Sequence, residues 1–212
     1  PDDDLGHGTH VAGIIGAVGD NGRGVAGVNW TTRIMALKFL GPSGGGMTSD
    51  AIACIDYILE MKSRGANVRV VNCSFSAATV YDANDPVNIA TKTLTDRGVN
   101  VVFSAGNSGA GNGTLNPYAA APWVVSVGAT DERGRLANFS SRGAFGDAGK
   151  TVSLVAPGVN VVGLRSTPSQ TGVLGVALGA DTQRLSLGEM PFYTTASGTS
   201  FSAPQVAGAI AL

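Results

Sequence analysis

Positive charge is scarce in this sequence. Fourteen lysines and arginines face fifteen aspartates and glutamates, giving a formal net charge of −1 and a pI near 6.1. A surface without a basic field has little to concentrate a phosphate backbone against it, so nucleic acid is not an expected partner. Long apolar runs are missing too: none approaches the ~20 residues of a membrane-spanning helix, and no membrane partner is expected. The opening Pro1-Asp2-Asp3-Asp4 is acidic where a secretory leader would be basic, as it would be in a mature or internal piece of a longer chain. Cysteine is limited to Cys54 and Cys73, and histidine to His7 and His10. Neither cysteine has a His or Cys at zinc-ligand spacing. Cys54 sits among helix-like residues and Cys73 in a strand-like run, so free core thiols are expected rather than a disulfide. Charged residues are only 14% of the chain against 43% hydrophobic, which excludes a disordered chain.

What the sequence does have is glycine, 31 residues in 212. That excess signals tight turns and places where backbone approaches something closely. The length suits one domain with a sizeable core. Apolar strand-like runs alternate with helical patterns: Arg33–Phe39, then a helix over Ser49–Arg64 with Asp50 near its start and Gly65 closing it. Val68–Phe75 follows as a strand, Pro86–Arg97 as a helix ending at Gly98, and Val99–Ser104 and Val124–Val127 as buried strands. Near-continuous apolar strands separated by helices predict an α/β, three-layered fold, a mostly parallel sheet covered on both faces. Gly41–Gly46 forms a glycine-rich loop after a strand. Arg165–Tyr193 is the least regular stretch and reads as a surface insertion.

Three segments carry chemistry. Gly6-His7-Gly8-Thr9-His10-Val11-Ala12-Gly13 opens an apolar helix over Val11–Ala17, which would fix His7 on a rigid element. Ser104-Ala105-Gly106-Asn107-Ser108-Gly109 ends a strand. Ser197-Gly198-Thr199-Ser200-Phe201-Ser202-Ala203-Pro204 leads into a helix through Val206–Leu212, so the Ser200 N–H would sit at a helix N-terminus, where the dipole favours negative charge. A serine hydroxyl is a weak nucleophile and needs an imidazole to take its proton. Each segment alone also has a plain reading, as surface histidine, strand-ending turn or helix cap.

Together and in this order, the segments resemble the histidine, oxyanion-hole and nucleophile signatures of the subtilisin family of serine peptidases. The likeness covers nearly the whole chain. It includes Val70-Val71-Asn72-Cys73-Ser74-Phe75, similar to a substrate-binding strand, and Ala156-Pro157-Gly158, a landmark before the nucleophile. The resemblance implies a serine endopeptidase acting through an acyl-enzyme, with Ser200 as nucleophile, His7 as general base, Asn107 as oxyanion donor and His10 as a structural histidine. Leu40, Gly44 and Gly46 on one side and Ser74, Phe75 and Ser76 on the other would flank an extended polypeptide substrate. Ala105 and Gly106, with Ala119–Pro122, would line a specificity pocket whose small uncharged walls imply an apolar or broad preference. The resemblance further implies secretion and a propeptide; a monomer is expected. The chemistry requires no cofactor. Many relatives carry a calcium loop where Val18–Val25 lies; Asp20 and Asn21 offer hard oxygen ligands there, and an ordinary Asn-Gly turn explains them equally well.

One part of the pattern is missing. The family's catalytic acid lies upstream of the histidine in an Asp-Ser/Thr-Gly context, and Asp2, Asp3 and Asp4 lack that context; they read as loop residues. Residues 1–212 are therefore expected to form a catalytic domain cut at both ends, from a longer enzyme carrying the acid. A subtilisin-fold module that binds peptides without cleaving them is the rival. A dinucleotide-binding protein fails, because Gly44-Gly45-Gly46 lacks the spaced glycines of that motif.

Overall fold

Runs of β-branched residues, too apolar to face water on either side, pair with one another at the centre of the fold. In the computed structural model, which describes residues 2–144, 146, 151–166 and 178–212, strands β1 (Val70–Cys73), β2 (Asn100–Ser104), β3 (Val125–Thr130) and β4 (Leu154–Pro157) form a parallel sheet in the order β1-β2-β3-β4. Register is set by pairs such as Val71 with Val101, Val102 with Val125, and Ala129 with Ala156. Side chains alternate across the sheet. Val101 and Phe103 face one core with Ile55, Ile58, Val87 and Leu94, whereas Val102 and Val127 face the other with Ala203 and Ala207.

Helices α1 (His7–Gly16), α2 (Thr48–Ser63), α3 (Pro86–Asp96), α4 (Leu178–Arg184) and α5 (Thr199–Ile210) complete the elements with a ribbon of β5 (Val161–Leu164) antiparallel to β6 (Tyr193–Ala196). α2 buries Ala51, Ile55 and Ile58, one helical stripe. Its end is closed by Gly65 N–H to the Lys62 carbonyl and Ala66 N–H to the Met61 carbonyl, both 3.0 Å. α3 begins at Asp85, whose carboxylate accepts from the Val87 N–H at 2.8 Å, with Pro86 at the first position. α5 lays Ala203 and Ala207 directly on the sheet, and at Gly208 it comes so close to Val28 and the Ile15 carbonyl that a Cβ would not fit.

The expected three-layer α/β fold is what forms. Arg33–Phe39 differs: it joins no strand ladder, and Ile34 and Met35 are exposed while Leu37 packs against the core. Apolar composition makes a segment fit for a strand, but a strand needs a neighbour to bond to. Arg165–Tyr193 is not wholly irregular, since α4 lies within it; its residues 167–177 fall outside the described residues. The Cys54 and Cys73 thiols are free, and complete burial pushes Cys73 up to about 12, so it is inert. Among the described residues no helix is long and apolar enough to cross a membrane.

Candidate active site

The ends of β1 and β2 and the starts of α1 and α5 meet at one edge of the molecule. Open parallel sheets place their sites outside the carboxyl ends of the strands, where loops are free to carry polar groups. Ser74 follows β1, Asn107 follows β2, and Ser200 stands in the first turn of α5.

Gly198 makes that turn possible. Its φ of 154° and ψ of 156° suit a residue without Cβ, and a Cβ there would lie 3.3 Å from Asn107 Nδ2. The next residue locks the asparagine. Thr199 donates to Asn107 Oδ1 from its backbone N–H at 2.9 Å and from its hydroxyl at 3.0 Å. The same hydroxyl accepts from the Gly106 N–H at 3.1 Å. With Oδ1 committed twice, the Asn107 amide orientation is fixed and Nδ2 is left to donate.

Ser200 is held from behind. Pro204 lies four residues on and has no N–H to offer the Ser200 carbonyl, so the helical bond is absent there. The Ser74 hydroxyl donates to that carbonyl instead, at 2.9 Å, and itself accepts from Asn72 at 2.9 Å. The Ser200 hydroxyl is directed at the Ser74 carbonyl, 3.5 Å away, at the outer limit of a hydrogen bond.

His7 is the first residue of α1, and its ring centroid lies 5.4 Å from that of Phe201, the neighbour of Ser200. The His10 ring also packs edge-on against Phe201, with centroids 4.7 Å apart. Burial lowers the His7 pKa, partly offset by the charge of Asp3, and so favours the neutral imidazole. Asp3 caps α1: one carboxylate oxygen accepts from Gly6 N–H at 2.9 Å and the other from Thr9 N–H at 2.6 Å. Asp3 touches His7 only through its field, in keeping with its reading as a loop residue. His10 is fully buried, and burial lowers its pKa to about 4, with the charge of His7 adding to the shift while the Val161 backbone and the charge of Asp181 offset part of it.

Beside these groups lies a cleft of about 590 Å³ lined by Phe75, Ser76, Gly106, Asn107, Leu115 and Ser200, among others, with no charged side chain in its wall. Of the residues expected to contact substrate, Phe75, Ser76 and Gly106 line this cleft. Ala105 does not line the cleft: it is fully buried, its N–H bonded to Val127 and its carbonyl to Asn116 in continuation of the sheet. Ala119, Ala120 and Ala121 are also buried, and the wall assigned to Ala119–Pro122 is formed instead by Gly113–Pro117. Burial draws small apolar residues into the core before they can line a pocket. Leu40, Gly44 and Gly46 belong to a separate tight loop closed by Gly41 N–H to Gly45 carbonyl at 2.9 Å. A contact between Phe39 and Phe75 at 4.8 Å ties its base to the Ser74–Ser76 segment.

Asp20 and Asn21 lie in an exposed turn. The Asn21 side-chain oxygen already accepts from the Arg23 N–H at 3.0 Å, and among the described residues no group of three His, Cys, Asp or Glu side chains is placed to hold a metal. Two donors, one of them engaged, do not make a calcium cage.

Sequence reasoning missed the roles of Ser74, Thr199 and Asp3. A signal for Ser74 existed, namely Pro204 four residues after Ser200, which leaves the Ser200 carbonyl needing a donor from elsewhere.

Fold and site together define a parallel α/β protein whose serine, histidine and asparagine stand at helix starts and strand ends. The pattern of the subtilase family matches residues 1–212, and the chain belongs to that family. It is 37% identical over 211 residues to Subtilisin Savinase of Lederbergia lenta, covering 99% of this chain and 63% of that one. It is 30% identical over 225 residues to the serine protease AprX of Bacillus subtilis strain 168, covering 100% and 49%. Among solved structures it superposes on Sphericase with a TM-score of 0.79 at 27% identity, covering 98% and 63%, and on S41 psychrophilic protease with a TM-score of 0.77 at 32% identity, covering 98% and 62%. The chain thus spans under two thirds of the length of these relatives.

Proposed function

We propose that this chain forms the catalytic core of a secreted serine endopeptidase. The observation that carries the reading is the Thr199 clamp on Asn107, which leaves one amide N–H beside the start of the helix bearing Ser200. His7 takes the proton of the Ser200 hydroxyl as Oγ attacks the substrate carbonyl carbon. The carbonyl oxygen becomes an oxyanion held by Asn107 Nδ2 and the Ser200 backbone N–H. Collapse breaks the C–N bond, and the proton on His7 passes to the departing amine. Water, deprotonated by His7, then hydrolyses the acyl-enzyme. The first step requires the Ser200 hydroxyl to rotate from the Ser74 carbonyl toward His7, a tightening usual when substrate binds.

The carboxylate that orients His7 lies on a segment upstream of residue 1. The edge of β1 supports this reading, because no strand pairs with it among the described residues and its backbone groups can accept one. An extended polypeptide runs between the Leu40–Gly46 loop and Ser74–Ser76, with an apolar P1 side chain in the uncharged cleft. Ser, His and Asn side chains perform these steps without a cofactor. A structural calcium at Asp20 and Asn21 would need oxygen donors beyond those two. The protein works as a monomer released from a propeptide.

A fluorophosphonate probe tests the reading against that of a peptide-binding module. Labelling of Ser200 in the full-length protein, lost in His7→Ala, is the expected result. Wild-type protein that is folded yet unlabelled would establish the binding module.

A further inference from the structure

The carboxylate of Asp181 has no part in the chemistry above, yet it is among the most thoroughly committed groups in the molecule. It sits on α4 with its side chain 1% exposed. Its oxygens accept from the Thr195 N–H at 2.6 Å, the Thr195 hydroxyl at 2.7 Å and the Thr194 hydroxyl at 3.0 Å. Arg165 donates to it at 2.6 Å and also bonds the Tyr193 carbonyl at 3.1 Å. These hydrogen bonds and the Arg165 charge outweigh burial and hold its pKa below the usual carboxylate range.

Thr194 and Thr195 belong to β6, the outer strand of a two-stranded ribbon. A ribbon of two strands is marginal by itself. The Thr195 N–H points away from β5, where a third strand would supply an acceptor, and Asp181 supplies it instead. Beyond β6 the chain runs straight into the nucleophile turn. The Ser197 hydroxyl accepts from the Asn160 N–H at 2.9 Å, the Gly198 N–H bonds the Gly158 carbonyl at 2.8 Å, and Thr199 clamps Asn107. A second ion pair on α4, between Arg184 and Glu132 at 3.0 Å, joins two largely exposed side chains and contributes little.

We propose that Asp181 is a positioning residue for the nucleophile. It replaces a third strand on the outer edge of β6 and thereby sets the Gly198–Ser200 turn and the Asn107 amide. The proposal rests on the peptidase reading for its kinetic consequence, but its structural consequence stands apart from activity.

The test compares Asp181→Asn with wild type in the full-length protein, by amide exchange and by fluorophosphonate labelling. Asn keeps the shape but turns an amide toward donors. Thr195 and Thr199 should lose protection together, by about tenfold or more, while Val102 in the central sheet keeps its own. The labelling rate should fall by about tenfold, and kcat for a peptide substrate with it, at unchanged KM. Thr195→Val, which removes one hydroxyl bond and leaves the charge pair, should shift the same amides in the same direction by less. Adding Arg165→Met to Asp181→Asn removes the orphaned cation and should restore thermal stability without restoring Thr199 protection. Thr199 protection unchanged while Thr195 loosens would overturn the proposal, as would loss of protection spread equally to Val102. A wild type that does not label refutes the peptidase reading alone, and the exchange result still decides the role of Asp181.

Discussion

Asn107 is exposed at a strand end, where an asparagine usually serves only to turn the chain. Its two bonds from Thr199 convert it into a fixed donor. Asn107→Ala should therefore lower kcat by about 10²–10³ with little change in KM, the scale established by deletion of this kind of donor in subtilisin. Thr199→Val should reproduce part of that loss by removing one of the two bonds that hold the amide. Steady-state kinetics on one peptide substrate checks both, and equal loss in kcat and gain in KM would argue against an oxyanion role. The three motif residues were legible in the sequence because each sits in a short run with few alternatives. The direction of the Asn107 amide was not, since it depends on a threonine 92 positions away.

Helix α5 shows how one element can be completed by another. Pro204 removes a helical hydrogen bond and the Ser74 hydroxyl supplies its replacement. Ser74→Ala should destabilise the protein by about 1 kcal/mol, because the half-buried Ser200 carbonyl loses its partner. Pro204→Ala in the same protein should recover part of that loss by restoring an N–H donor within the helix. Chemical denaturation of the two single variants and the double variant gives the coupling, and strict additivity would dismiss the link. The helix starting at Pro86 and the one ending at Gly65 were readable from caps and spacing. The ribbon of β5 and β6 was not, because its four-residue strands are defined by pairing partners and not by composition.

Across the whole molecule, the fully buried His10 ties stability to pH. Its folded pKa of about 4 lies below the ordinary 6.5. The unfolded chain therefore binds the proton more tightly in that interval, and stability falls as pH drops from about 6.5 toward 4. The stabilisation is fully present above about 6.5. The shift corresponds to about 3 kcal/mol, so midpoints of urea denaturation should decline across this window and His10→Gln should flatten the decline. Activity makes a separate demand on the whole domain. On the proposed reading, residues 1–212 expressed alone should hydrolyse peptide about 10⁴-fold more slowly than the same residues joined to a segment carrying the acid, since an unoriented imidazole loses its correct tautomer. Comparable turnover by the two would remove the need for an upstream acid.

Local chemistry suffices to specify some of this. Valine runs between helical stripes demand a buried parallel sheet, and three short motifs name the serine, the histidine and the asparagine before any coordinate is known. Other features depend on residues far apart in the chain, and only packing brings those together. The Thr199 clamp, the Ser74 bond behind Pro204, the burial of Ala105 and Ala119–Ala121, and the carboxylate of Asp181 beneath β6 were all decided at that level. The reason is physical: a hydrogen bond between residues that no helix turn or strand pairing relates leaves no period or spacing in the sequence, whereas a helix face or a strand does.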